Sequence, residues 1–133
     1  KDFRGAVADY NDFYDAMMGQ VSAEFYLIRT QAEMQCRMFQ QAVDDIDRAI
    51  RMEPKEPLYH AERAVVYYRI GEFAEALSSA KKSAELNPEF GDAYRLMGIC
   101  QLKLNRREAH LKKAAELGDE SAQAILTEEE TKQ

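Results

Sequence analysis

Residues 57–90 read PLYHAERAVVYYRIGEFAEALSSAKKSAELNPEF, and this stretch is helical twice over. Ala61, Ala64, Val65 and Tyr68 fall at i, i+3, i+4 and i+7, one face of an α-helix. His60, Arg63, Tyr67 and Ile70 make a second, partly apolar face. A helix apolar on two sides has neighbours on two sides, which predicts an inner helix of a stack. From 73 to 86, Phe73, Ala76, Leu77, Ala80 and Ala84 form one narrower stripe. Ser78, Ser79, Lys81, Lys82 and Glu85 are expected to face solvent, so this is an outer helix. Gly71 separates the two, where a left-handed turn costs glycine nothing. Asn87-Pro88 closes the unit, because proline pushes the preceding residue out of the α region. No segment alternates as a strand would.

The unit recurs along the chain. Pro54 and Pro88 are 34 residues apart, as are Phe39 and Phe73, Ala42 and Ala76, Met52 and Leu86, and Arg29 and Arg63. Tyr26, His60 and Tyr94 form a three-member series at the same spacing. A 36-residue step joins Phe3 to Phe39, Ala6 to Ala42, Val7 to Val43 and Tyr10 to Ile46. A fixed period of this length is the signature of a stacked repeat array.

A 34-residue unit of two antiparallel helices with these residues resembles the tetratricopeptide repeat (TPR) family. Ala64, Tyr67, Gly71, Phe73, Ala76, Leu86 and Pro88 stand where the family motif has small, aromatic, Gly, aromatic, small, aliphatic and Pro. Residues 23–56 match at Tyr26, Phe39, Ala42, Ala49 and Pro54. They depart at Arg37, where the turn Gly belongs, and at Thr30, where a small residue allows close packing. The resemblance implies an all-α fold, a right-handed αα-superhelix of antiparallel helix pairs with a C-terminal capping helix. The expected units are 1–22, the second helix of a truncated repeat, then repeats 23–56, 57–90 and 91–118, then the capping helix and tail 119–133.

The ends of the array are irregular. Lys1 to Met18 looks like an outer helix without its inner partner, so the chain is expected to be a fragment of a longer protein. The third unit opens with Tyr94, Met97 and Gly98, but Leu117 follows Leu86 by 31 residues rather than 34. Its turn, at Asn105, is therefore expected to be shortened, either by remodelling or, the favoured reading, because residues are missing from the sequence. Ala122, Ile125 and Leu126 are placed to cover the apolar face of that unit, with Asp119 as N-cap and Gly118 as the C-cap before it. Lys112 to Gly118 is also similar to Sel1-like repeats, another αα-solenoid.

Composition narrows the function classes. With 133 residues, 46% hydrophobic and 32% charged, the chain can fold and remain in water. Its net charge of −6 argues against binding a phosphate backbone as the main task, and no run of about 18 apolar residues suggests a membrane span. Cys36 and Cys100 form no CxxC pair and lie far from His60 and His110, so neither a disulfide framework nor a metal site is expected. Both cysteines read as small buried apolar residues, and nothing assigns a compartment. Asp44, Asp45 and Asp47 precede Arg48 and Arg51 and read as a solvated helix face. No phosphate loop, acid–base pair or nucleophile constellation is present, so neither an enzyme nor a cofactor is expected.

The resemblance points instead to protein–protein interaction: a scaffold or adaptor that binds a partner segment in the concave groove lined by inner helices. Registration on the family places Leu27, Gln31 and Met34 of the first repeat there, with Glu24 and Gln35 beside them. The second repeat supplies Leu58, Val65, Tyr68 and Arg69, and Ala61. The third supplies Arg95, Ile99 and Lys103, with Asp92 and Leu102. The middle is apolar and one end basic, so an apolar segment carrying an acidic group is the expected protein or peptide ligand, with Tyr68 and Arg69 its principal contacts. The carboxylate clamp of chaperone-docking TPR domains, made of Lys, Asn and Arg, is not kept. The corresponding positions carry Leu27, Gln31, Glu62, Leu58, Asp92 and Leu96, which argues against a chaperone-tail receptor. The alternative is a structural or self-associating spacer within a larger protein, joined through exposed repeat ends.

Overall fold

The computed structural model describes residues 2–132, which form seven α-helices. They are α1 (Phe3–Ala16), α2 (Ala23–Gln35), α3 (Phe39–Met52), α4 (Pro57–Ile70), α5 (Phe73–Leu86), α6 (Gly91–Glu116) and α7 (Glu120–Thr131). Each packs on the next, and α2, α4 and α6 also touch one another in that order. That pattern makes a right-handed αα-superhelix with α2, α4 and the first half of α6 as its inner layer. No helix among the described residues is long and apolar enough to cross a membrane.

Local chemistry sets the helix ends. The Ser22 hydroxyl accepts from the Phe25 amide at 3.2 Å, so one otherwise unpaired donor at the start of α2 is satisfied. Pro57 opens α4, where a missing N–H costs nothing. Gly71 ends α4 in the left-handed conformation, at φ +93°. Arg37 takes the same conformation between α2 and α3, at φ +60°, so a residue with a Cβ occupies a position suited to glycine. Asp119 caps α7 through a 2.8 Å bond from the Ala122 amide, after Gly118 at φ +94°.

Two apolar clusters hold the stack together. Tyr26, Leu27, Met34, Ala42, Ile46, Ala49, Tyr59 and Val66 fill the space among α2, α3 and α4. Ala61, Ala64, Ala80 and Leu96 do the same among α4, α5 and α6. The fully buried alanines bring helix axes close, because there is little side chain to separate them. Thr30 occupies one such small-residue position and is also fully buried. Its hydroxyl donates to the Tyr26 carbonyl at 2.7 Å, so the extra polar atom is not left unpaired.

Two expectations about exposed faces are corrected. Ser79 is buried rather than solvated, and its hydroxyl accepts from Arg63 at 2.8 Å. It lies three residues from Ala76, on the flank of the buried stripe. Asp45 is 1% exposed, and Asp47 bonds across to Arg63 of α4 at 2.9 Å, so the acidic run of α3 is not simply a solvated face.

The third repeat departs most. The shortened turn expected at Asn105 is absent, and inner and outer segments fuse into the 26-residue α6, roughly 39 Å long at 1.5 Å per residue. Asn105 to His110 contains neither Gly nor Pro, and nothing there interrupts the helical hydrogen bonds. Gln101 bonds to Asn105 at 3.0 Å, and Lys112 pairs with Glu108, both one turn apart along the helix. α7 then folds back against the second half of α6, with Gln123 on the Ala115 carbonyl and Glu129 near Arg107. It packs on α6 alone. Ala122 is buried and Leu126 half-buried, but they cover residues 104–116 rather than the face that carries Tyr94.

Candidate functional site

The groove residues expected from the sequence lie on the inner helices α2, α4 and α6. Gln31 of α2, Leu58 and Arg69 of α4, and Arg95 of α6 are exposed, while Val65, Tyr68, Ile99 and Lys103 are half-buried. Leu102 adds an apolar side chain that is 50% exposed. The second and third repeats therefore leave most of the residues expected from the sequence at least partly accessible.

Leu27 and Met34 are placed differently. They are only 8% and 3% exposed and belong to the core cluster among α2, α3 and α4. The first repeat presents Glu24, Ile28, Gln31 and Gln35 in their stead, so its part of the surface is mostly polar. Ile28, 39% exposed, was not singled out by registration on the repeat. It faces a hollow against α1, beside Phe3, Ala6 and Tyr10.

The charges divide by location. Arg95 pairs with Asp92 at 3.6 Å on the surface, which is worth little in water. Arg69 and Lys103 form no ion pair among the described residues. Glu62, half-buried on α4, faces Gln31 of the neighbouring inner helix. Burial pushes its carboxyl above the usual range, and the Gln31 hydrogen bond only partly offsets this. A second negative group close to Glu62 would raise that cost, whereas a donor would lower it. Tyr68 leans on Phe73 across the turn, with ring centres 5.5 Å apart, so its orientation is fixed before any partner arrives.

A buried polar joint braces α1, α2 and α3 behind this surface. Arg29 donates twice to the Asp45 carboxylate, at 2.7 and 2.8 Å, and reaches Asn11 of α1 at 3.4 Å. Its guanidinium lies 4.7 Å from the centre of the Tyr14 ring. Burial alone would raise the Asp45 carboxyl, but hydrogen bonds from Arg29, Glu33 and Arg48 outweigh it and hold Asp45 below its ordinary value. Glu33, 4% exposed, is pushed up to about 9, first by burial and then by its hydrogen bond and charge interaction with Asp45. It is therefore a neutral acid at pH 7, with Oε1 left without a hydrogen-bond partner. Arg63 makes the equivalent joint one repeat later, to Asp47 and Ser79. The 34-residue Arg29–Arg63 spacing is the sequence signal for these joints, although it does not disclose the partners.

Comparison with known proteins agrees with the architecture. The family model described as "Tetratricopeptide repeat" matches residues 57–90. "Protein SGT1 homolog" of Bos taurus is 31% identical over 87 residues, which is 65% of this chain and 26% of that protein. "Hsp70-Hsp90 organizing protein" of Triticum aestivum is 31% identical over 70 residues, 53% of this chain and 12% of that protein. The match to the first thus spans about a quarter of its length. Among solved structures, "Crystal structure of MamA" superposes with a TM-score of 0.70 at 25% identity, covering 98% of this chain and 70% of that one. "First TPR of Spaghetti (RPAP3) bound to HSP90 peptide SRMEEVD" gives 0.59 at 21% identity, over 81% and 94% of the two chains. The chain has the fold of a tetratricopeptide-repeat solenoid, with residues 57–90 its clearest repeat.

Proposed function

We propose that this solenoid is a protein-interaction module and that the inner faces of α4 and α6 hold an extended partner segment. One observation carries the reading: Arg69 and Lys103, cations without an ion pair among the described residues, each follow an accessible apolar residue, Val65 and Ile99, by one helical turn on the inner helices. An apolar segment with an acidic group complements that arrangement, since apolar contact supplies affinity and the charge fixes register. Tyr68 and Arg69 are the proposed principal contacts. The relatives named for Hsp70 and Hsp90, and the solved complex with an HSP90 peptide, support an adaptor role rather than an enzymatic one.

The manner of binding would differ from capture of a terminal carboxylate near α2. Leu27 is buried, and Glu62 already places a carboxyl beside Gln31. Acidic groups are expected to meet Arg69 or Lys103 instead. Fluorescence anisotropy with labelled SRMEEVD, free or amidated at its C-terminus, tests this. Binding that survives amidation and falls at least tenfold in Tyr68→Ala/Arg69→Glu supports the reading. Binding that needs the free carboxylate and ignores that double substitution would sink it. Self-association is a second reading, favoured by an uncovered apolar face on α6.

A further inference from the structure

In the first two repeats, the inner helix meets its outer partner through equivalent residues. Tyr26 and His60 are 6% and 9% exposed, while Thr30 and Ala64 are fully buried. Their counterparts 34 residues on are Tyr94 and Gly98. Tyr94 is 49% exposed, and a Cβ at Gly98 would meet nothing within 4 Å. Met97 replaces Arg29 and Arg63, so this face has exchanged a polar joint for an apolar one. With Ala84 of α5 and Pro88 just beyond it, Tyr94 and Met97 line an open, mainly apolar groove that Lys81 and Glu85 border.

The segment that ought to cover the groove exists, displaced. Lys112-Lys113-Ala114-Ala115-Glu116-Leu117 repeats Lys81-Lys82-Ser83-Ala84-Glu85-Leu86, the end of an outer helix. In α5, Ser83 and Ala84 are buried, whereas their counterparts Ala114 and Ala115 are half-buried and Leu117 is 77% exposed. Leu111, at the position of fully buried Ala80, gives this segment a larger apolar contact. The straight α6 carries it away from its own inner half. Folding back would require unwinding part of an unbroken helix and surrendering its hydrogen bonds.

We propose that α6 pairs antiparallel with α6 of a second copy, so that residues 106–131 of each cover the Tyr94–Met97–Gly98 face of the other. Helix geometry supplies the register. Leu111 follows Met97 by fourteen residues, which sets both on one side of the straight α6. An antiparallel pair that places Met97 against Leu111 of the second copy also places Leu111 against Met97. The two-fold axis then passes near Leu104, which is half-buried on the same side of the helix. The contact is closed and self-complementary, as a cyclic dimer requires. Shortening a hinge turn is a recognised route to such exchange, because the chain can no longer double back on itself. This pairing does not depend on the concave groove.

Light scattering across a micromolar concentration series tests the proposal, beside circular dichroism to verify folding. Wild type should approach twice 15.3 kDa as concentration rises. Tyr94→Glu/Met97→Glu should remain helical and monomeric, and so should Leu111→Glu, which damages the other side of the same junction. Mixing these two variants should restore a heterodimer, since one copy keeps an intact groove and the other an intact covering segment. Inserting three residues that include Gly after Asn105 should permit folding back and give a monomer. Wild type that stays monomeric at every concentration would overturn the proposal and leave the face to a different partner. A dimer unaffected by Tyr94→Glu/Met97→Glu would overturn it too, by placing self-association elsewhere, such as the exposed Phe13–Met17 edge.

Discussion

Two stretches of nearly the same design end differently: 57–86 doubles back as α4 and α5, while 91–116 runs straight as α6. Both finish on an almost identical outer-helix hexapeptide. The difference lies in the middle, where Gly71 at φ +93° stops one helix and Asn105, inside three residues fewer, does not stop the other. Side-chain chemistry follows the backbone. The hairpin carries Arg63 reaching Asp47 and Ser79, whereas the straight helix carries Met97. A repeat is therefore specified less by its apolar stripes than by its turn and by what joins its two helices. The largest test concerns the joint in its most buried form. Arg29→Met imitates Met97 but leaves Asp45, 1% exposed, without its principal partner. Stranding one member of a buried ion pair costs about 3–5 kcal/mol, so urea unfolding should show a loss of that order. Arg63→Met should lose less, because that pair is partly solvated, at 27% and 33% side-chain exposure.

Space between the helices distinguishes the repeats next. Ala64 is fully buried against α5, so Ala64→Leu has nowhere to go and should cost about 1–3 kcal/mol. Gly98 occupies the equivalent position with open space around it, so Gly98→Leu should leave the isolated chain no less stable. Equal losses in thermal or urea unfolding at low protein concentration would mean that α6 is covered as α4 is. In a self-associating chain, the second substitution should weaken the dimer instead.

The architecture was legible because the 34-residue period repeats residues whose packing roles repeat with it. The same register names groove candidates such as Val65, Ile99 and Lys103, which are half-buried rather than lost in the core. Leu27 and Met34 did not, since a helix with neighbours on two sides gives no sign of which apolar stripe is solvent-facing. Asp45 and Ser79 were also misread, as residues that look solvated on a single helix become buried once an arginine crosses from the preceding one. The straight α6 was hidden for a different reason. A count of three missing residues signals an altered turn, but whether the helix stops depends on local residues, and Asn105 to His110 contains no stop.

Titration separates the first repeat from the others, because only there does an acid sit in the position of Tyr67 and Gln101: Glu33. Its carboxyl is raised from 4.5 to about 9 in the folded chain, so folding favours its protonated form. That contribution is fully present below about pH 4.5 and is lost as pH rises through about 9. Asp45 acts oppositely. Its carboxyl is held below 3.8, so its contribution is present above that value and disappears on further acidification. Wild type should thus lose stability through this group as pH rises from about 5 to 9. Glu33→Gln, uncharged throughout, should flatten the profile and exceed wild type at pH 8. A wild-type melting temperature that does not change between pH 5 and 9 would contradict this account of the joint.

The smallest effect concerns the turns themselves. Gly71 occupies the left-handed region freely, whereas Arg37 occupies it at φ +60° with a Cβ. Relief of that strain in Arg37→Gly is worth about 1–2 kcal/mol. Glycine has more freedom to lose on folding, which reduces the gain by about 0.4–1 kcal/mol. The Arg37 guanidinium also lies 5.9 Å from the Phe39 ring, and losing that exposed contact removes about 0.5 kcal/mol. The sum remains slightly favourable, so the urea midpoint should rise by a small but measurable amount. Asn105→Gly makes the converse comparison. Its backbone is helical, so glycine there should cost about 0.5 kcal/mol or less relative to Asn, consistent with their helix propensities. Opposite signs for one glycine in two equivalent turns would locate the divergence of the repeats in backbone conformation. A gain at both would instead mean that residue 105 prefers to turn and that α6 is held straight by what packs against it.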